Sequence, residues 1–322
     1  MSTDKRFKSM LLKSRNIPVH WIDFSSSWNL HPWELYTLSG ELASSFSRAG
    51  ILHPPILLAK DDSRFEIVCG FKRLLFASSV LTPQELGCLI LDKNTEPIVI
   101  LDIVLTDQNL ARPLSIVEKA RFLEICSCYL QPREIVDTFR ERLMLDKRPS
   151  TFSALVEILK QHPMLISEAH CGTLQEKIVM ELLRIPSETD RVALVQIFKK
   201  LGMGDGKQRK FLPLIRDLAF RDQMPITAFL ENPSIEEILE HPEMNNPQKI
   251  QHLVSFLQHQ STPLATNAEI EFSRDVKSLK IPDNCTIDHS PSFEKDEVIL
   301  SIAFKNLSVC KQWIPTLKRS LT

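Results

Sequence analysis

Apolar and polar positions change period several times over the first hundred residues. Leu38, Leu42, Ala43 and Phe46 share one helical face, which predicts a helix over 38–49 closed by Gly50. Pro54-Pro55-Ile56-Leu57-Leu58-Ala59 reads as extended, and Asp61-Asp62-Ser63 as a turn. Phe65-Glu66-Ile67-Val68-Cys69 alternates like a strand ended by Gly70, and Phe71 to Val80 returns to helical spacing. Leu89-Ile90-Leu91 and the run Ile98 to Leu105 predict further strands.

Beyond Thr106 the period is helical. Helices are predicted over 115–129, 131–139, 151–159, 173–183, 189–201, 211–220 and 247–260. Prolines at 163, 186, 213, 225, 233, 242 and 247 punctuate them. Ser261-Thr262-Pro263 reads as a linker. Segments 270–279, 285–287, 298–304 and 309–317 then form a small α/β or α+β module. Its strand Val298-Ile299-Leu300-Ser301-Ile302-Ala303-Phe304 is too apolar to stay uncovered and predicts packing on a helix or on a second copy. The pattern therefore predicts an α+β chain with an α/β domain over 1–110, an all-α domain over 111–260 and a small module over 261–322. No fixed-period repeat occurs, which disfavours a solenoid.

Composition changes this picture little. Of 322 residues 43% are hydrophobic and 25% charged, so each domain can bury a core without disulfides or metals. The net charge of -1 argues neither for nor against a nucleic-acid partner, because a whole-chain sum hides a local basic face. Seven cysteines follow no framework spacing and sit mostly among apolar neighbours, which suits a reducing cytoplasm. Neither a signal peptide nor the roughly 18–20 apolar residues of a spanning helix is expected.

Three short segments carry candidate chemistry. The first is Gly50-Ile51-Leu52-His53-Pro54-Pro55-Ile56, where a helix end runs into a strand. The second is Cys69-Gly70-Phe71-Lys72-Arg73-Leu74, a strand ended by glycine with two cations opening the next helix. The third is Asp107-Gln108-Asn109-Leu110-Ala111-Arg112, at the change from α/β to all-α. A glycine before a helix N-terminus can seat a phosphate, since free N–H groups and the helix dipole point outward there and Lys72 and Arg73 add charge. An ordinary tight turn with two solvated cations is the alternative for any one segment.

In order and spacing these segments resemble the N-terminal fold of ParB-like partition proteins, over roughly residues 15–185. Members carry a G-(I/L)-(L/I)-x-P segment, then G-E-R-R ending a strand, then E-N-x-x-R before a helical DNA-reading domain, and they bind CTP between these segments. The resemblance implies a small ParB/sulfiredoxin-type α/β domain, with Gly50, Leu52, His53, Pro54, Gly70, Lys72, Arg73, Asn109 and Arg112 as nucleotide contacts. Arg73 would meet a phosphate bidentately, and Asn109 would help hold Mg²⁺ beside CTP. Two family glutamates are absent: Phe71 follows the glycine, and Gln108 precedes the asparagine. Losing carboxylates that orient Mg²⁺ implies a weak CTPase at most, unless Asp107 substitutes from one position away.

The same resemblance places a helix-turn-helix after the third segment. Gln131 to Val136 is similar to its first helix, and Pro149 to Val156 to its recognition helix. Arg133, Lys147, Arg148, Ser150 and Thr151 would then meet DNA. The connection 140–148 is longer than a usual turn and lacks its glycine, and a plain helical bundle is the alternative. A second basic cluster holds Lys199, Lys200, Lys207, Arg209, Lys210, Arg216 and Arg221; Lys207, Arg209 and Lys210 are its candidate backbone contacts, against a solvated helix face. Gly202-Met203-Gly204-Asp205-Gly206-Lys207 is one residue short of a phosphate loop, and Gln208 stands where a hydroxyl would hold Mg²⁺. Cys126 and Cys128 point apart on a helix, His241, His252 and His259 lack ligand partners, and Trp21, Trp28 and Trp33 are core or interface anchors.

The reading that follows is a DNA-binding protein of partition or transcription regulation. It would be cytoplasmic and nucleoid-associated, homodimeric through its C-terminal module, with a partition ATPase as a further partner and no membrane contact. Two alternatives stand beside it. One is a small-molecule kinase-type enzyme on the same N-terminal fold, which needs a carboxylate near Arg73; the other is a protein-interaction scaffold that keeps only the fold. Sulfiredoxin chemistry is disfavoured, because Cys69 precedes the glycine and ends an apolar strand.

Overall fold

The computed structural model describes residues 12–31, 40–81, 83–145, 150–290 and 297–320. The chain is α+β, and its contacts divide it into two units, 1–200 and 201–322.

The first unit is built on a five-stranded sheet of order β1-β5-β3-β4-β2. Its strands are β1 (Lys13–Pro18), β2 (Ile22–Asp23), β3 (Ile56–Ala59), β4 (Phe65–Cys69) and β5 (Glu85–Leu91). β1 pairs antiparallel with β5, β5 parallel with β3, β3 antiparallel with β4, and β4 parallel with β2. All five residues of β4 are buried, as expected of a strand covered on both faces. One face joins Ile17, Ile22, Leu57, Phe65, Ile67 and Cys88 to Phe71 and Leu74 of α2 (Phe71–Phe76), with Trp21 and Phe24 packed on the edge. A π-turn over Ala77–Leu81 finishes the segment expected to be helical as far as Val80. α1 (Gly40–Ala49) lies within the predicted helix 38–49, whose first two residues fall outside the described ones, as does Trp33.

One expectation is overturned. The run Ile98 to Leu105 is not a strand but the middle of α3 (Pro97–Ala111), which packs on β4. Its apolar residues lie all round the helix, so their sequence has no visible face, and a continuous apolar run does not distinguish a buried strand from a buried helix. Pro97 at the first helical position and the 15-residue length were the usable signals.

Helices α4 (Ile116–Ser127), α5 (Pro132–Leu143), α6 (Ser150–Val156), α7 (Pro163–His170), α8 (Glu176–Leu182) and α9 (Glu188–Leu201) complete the unit. α4 is the hub and packs against α5, α6 and α7. Phe122 of α4 meets Phe139 of α5 edge-on at 5.2 Å, both fully buried. α7 was not foreseen; Pro163 begins it, and the His162 ring accepts the Met164 N–H.

The second unit contains α10 (Asp205–Arg221), α11 (Ile226–Leu230), α12 (Pro233–Glu240), α13 (Asn246–Ser261), α14 (Pro263–Ser278) and α15 (Leu307–Ser320), with a hairpin of β6 (Cys285–His289) and β7 (Val298–Ile302). α13 packs against α10, α12 and α14. The expected linker is a one-residue break at Thr262 between α13 and α14. Pro213, expected to punctuate, lies inside α10 on an exposed position, where the carbonyl it leaves unpaired can reach water.

One acid fixes the chain after β2. Glu66 is buried in β4, where it takes the Ser27 hydroxyl at 2.6 Å, the Ser27 N–H at 3.0 Å and Lys60 Nζ at 2.5 Å. Burial alone would raise its carboxyl, but hydrogen bonds from Lys60 and Ser27 outweigh it and hold the pKa below 4.5. A depressed acid stabilises the fold above its unfolded pKa, and that contribution is lost as pH falls through the folded value. The stability difference between the protein and Glu66→Gln should be full near neutral pH and shrink below 4.5, measured by urea unfolding at several pH values. A difference independent of pH would refute the account.

Candidate functional site

The three segments singled out in the sequence meet at one cleft. Gly50 ends α1 with φ 68° and its N–H bonded to the Phe46 carbonyl at 2.9 Å, which turns the chain toward β3. Gly70 ends β4 with φ 90°, and a Cβ there would lie 3.1 Å from Cα of Pro55 and 3.1 Å from Nε of Arg73. Glycine is thus favoured at that position by its left-handed conformation and by the tight approach of Pro55 and Arg73. The tight turn places the first and second segments side by side and starts α2 directly behind Gly70.

Arg73 joins all three segments. Nη1 donates to the His53 carbonyl at 2.6 Å, and Nη2 lies 3.4 Å from Oδ2 of Asp107. The resulting cleft has a volume of about 500 Å³ and is lined by His31, Phe46, His53, Gly70, Phe71, Lys72, Arg73, Asp107, Gln108 and Arg112. Of the nine sequence candidates, His53, Gly70, Lys72, Arg73 and Arg112 line it. Gly50, Leu52, Pro54 and Asn109 do not; Leu52 and Asn109 are exposed. His31 and Phe46 were missed, because nothing in their neighbourhood marks them and only the fold brings them in.

The cleft is cationic, with its charges unequally engaged. Arg112, in the extended residue after α3, grips Glu118 with both Nη atoms at 2.7 and 2.6 Å. Glu118 is fully buried and forms the capping box of α4 with Ser115. Burial would raise its carboxyl, but hydrogen bonds from His31, Arg112 and the Ser115 N–H hold it far below the usual carboxylate range. Lys72 has no carboxylate within ion-pairing distance among the described residues. Burial lowers its pKa, the nearby Arg112 charge lowers it further, and Glu118 opposes both. An anion in the cleft would answer that imbalance.

Phe71, directly after Gly70, is 8% exposed and packs edge-on to Phe24 at 6.3 Å, so this position serves the core. Asp107 brings a carboxylate into the cleft from the third segment. Cys69 is 2% exposed; burial first, and Asp107 second, push its thiol well above its ordinary pKa, against a smaller opposing pull from Arg73.

The DNA candidates are only partly described. Arg133 is exposed in the first turn of α5. Lys147 and Arg148 lie outside the described residues, and Ser150 and Thr151 open α6. Lys207, Arg209 and Lys210 are exposed on α10, where Arg209 is paired with Asp205 at 2.7 Å. Arg216 and Arg221 of the same cluster also touch the adjacent Asp217 and Asp222, at 3.2 and 2.8 Å. Among the described residues no helix is long and apolar enough to cross a membrane.

No family model matches the chain, and no curated protein matches it. Solved structures do. One is the C-terminally truncated chromosome-partitioning protein ParB from Caulobacter crescentus complexed with CTP-gamma-S, 17% identical, with a TM-score of 0.24, covering 57% of this chain and 97% of that one. Another is the same truncated protein complexed to the centromeric parS site, 15% identical, with a TM-score of 0.34, covering 60% of this chain and 96% of that one. Likeness of this degree establishes no activity for this chain.

Gly70→Ala should lower the thermal midpoint of the first unit, by the equivalent of about 1–3 kcal/mol. Gly206→Ala, with nothing within 4 Å of its would-be Cβ, should be neutral or stabilising by about 0.5–1 kcal/mol. Equal effects would show that the 70 turn is unstrained.

Proposed function

We propose that the chain is a ParB-like DNA-binding protein of partition or transcription regulation, whose N-terminal cleft takes CTP with Mg²⁺ and hydrolyses it weakly if at all. The observation that carries this reading is the convergence of three distant segments on one cationic cleft, tied together by Arg73. Lys72 is the cation best placed to take a phosphate oxygen, since Arg73 and Arg112 already serve Asp107 and Glu118. Asp107 and Gln108 border the position an ion would need beside that phosphate. Weak hydrolysis follows from Phe71, which offers the core a ring where a carboxylate would have faced the nucleotide.

The test is titration calorimetry with CTP and Mg²⁺. Lys72→Ala is the cleaner variant, because Arg73 also ties the segments together. It should weaken binding about tenfold or more, the worth of a charge-assisted hydrogen bond. Binding of random-sequence DNA should fall with salt, and Lys207→Ala with Lys210→Ala should flatten that dependence by about one unit of slope per lost contact. Absence of both CTP and DNA binding would leave the scaffold reading.

One observation favours a second reading. A kinase-type enzyme on this fold needs a carboxylate near Arg73, and Asp107 is there at 3.4 Å. Transfer of phosphate from a nucleotide to a small hydroxyl compound, abolished in Asp107→Asn, would replace the first reading.

The partners implied are DNA, a partition ATPase and a second copy. Support for the last is the hairpin in unit two: Val298, Ile299 and Leu300 are each more than half exposed, and β7 pairs only with β6 among the described residues. An apolar edge of a two-stranded sheet favours association. A monomer in sedimentation at micromolar concentration would count against a dimer.

A further inference from the structure

His31, Glu118 and His170 come together from three separate elements. His31 lies in the segment after β2, Glu118 in the first turn of α4 and His170 at the end of α7. One ligand atom of each lies within 4.8 Å of the others. We propose that these three side chains form a binding site for a divalent transition-metal ion, for which zinc is the natural probe. This site is separate from the Mg²⁺ position of the nucleotide reading, and it does not depend on that reading.

Geometry supports the assignment. His31 Nδ1 lies 3.0 Å from Oε1 of Glu118. Two ligands about 2.0–2.1 Å from a tetrahedral ion stand about 3.3 Å apart, so an opening of a few tenths of an ångström admits the ion between them. Without metal, a proton shared between that nitrogen and oxygen fills the same place. The surrounding contacts are of the kind that orient metal ligands. Ser115 Oγ lies 3.0 Å from His170 Nδ1, while Arg112 Nη1 and the Ser115 N–H hold Oε2 of Glu118 and Arg112 Nη2 shares Oε1 at 2.6 Å, which leaves that oxygen's second lone pair for the ion.

The donor set also selects the ion. Arg112 already neutralises the carboxylate, so charge alone gives little hold on a hard ion such as Mg²⁺ or Ca²⁺, which prefers several oxygens. Two imidazoles and one carboxylate suit a borderline ion such as Zn²⁺, Co²⁺ or Fe²⁺. His31 borders the cationic cleft and also a second cavity of about 770 Å³, lined among others by Asn29, Arg121, Gln161 and Lys199. Either gives the ion an entry path and water for its open coordination positions.

The test uses the full chain, stripped with chelator and dialysed against Zn²⁺. The expected result is one equivalent of zinc per chain, with binding weakened at least about tenfold in His31→Ala and in His170→Ala. Both substitutions keep the Arg112–Glu118 pair and the capping box, removing only the His31 contact to Glu118 or the His170 contact to Ser115 Oγ, and circular dichroism should show a retained fold. Cys128→Ser with Cys171→Ser should keep the ion. Cobalt in the same site should absorb without the near-ultraviolet thiolate band. Three results would overturn the proposal: no stoichiometric zinc, zinc that survives both histidine substitutions, or zinc lost with the cysteine pair.

Discussion

The carboxylate of Glu118 is the charge around which the first unit is arranged. It is fully buried, and an ionised carboxylate without partners would not be tolerated there. The protein surrounds it with the Arg112 fork, the Ser115 N–H and His31. Each partner belongs to a different piece of chain: the end of α3, the start of α4 and the segment after β2. Satisfying one buried charge therefore joins the sheet-bearing part to the helices. Removing one partner of such a pair typically costs about 3–5 kcal/mol. Here the cost is reduced, because Arg112 is itself 48% exposed.

The cleft inherits its character from the same constraint. Arg112 is committed to Glu118, and Arg73 is divided between the His53 carbonyl and Asp107. Two of the three cations at the rim thus hold the wall together. Lys72 remains half-buried, with its charge disfavoured by burial and by Arg112. The cleft therefore gains electrostatically from an incoming anion, whereas its arginines need no rearrangement to stay paired. Phe71 after Gly70 packs into the core against the sheet and leaves Asp107 as the acid facing Arg73.

A different constraint governs the second unit. Its helices bury Phe211, Leu212, Ile215, Leu253 and Leu257 fully or nearly so. The hairpin that follows leaves three consecutive apolar residues of β7 to solvent. Phe272 of α14 meets His289 of β6 at 4.7 Å, and Phe304 meets Trp313 of α15 at 6.0 Å. These ring contacts tie the hairpin to its neighbouring helices without covering the outer residues of β7.

Much of this was legible in the residues. Alternation in 65–69, glycines at 50 and 70, and helical spacing from Ser115 onward set the strand, the turns and the helices, because each rests on local stereochemistry or on a short-range apolar period. The meeting of the three candidate segments was expected only through the resemblance that their order and spacing carry. Ile98 to Leu105 was misread, because its apolar residues surround the helix and leave no periodicity to separate helix from strand. The sequence by itself therefore determined the α+β class and most of the local elements, and five residues named from a family resemblance came to line the cleft. Tertiary structure alone decided that Arg73 and Arg112 face Asp107 and Glu118, and that His31 and His170 meet beside a buried acid. Arg73 and Asp107, like His31, Glu118 and His170, are far apart in the chain, and even Arg112 and Glu118, six residues apart, are paired by a burial that exists only once the core has closed.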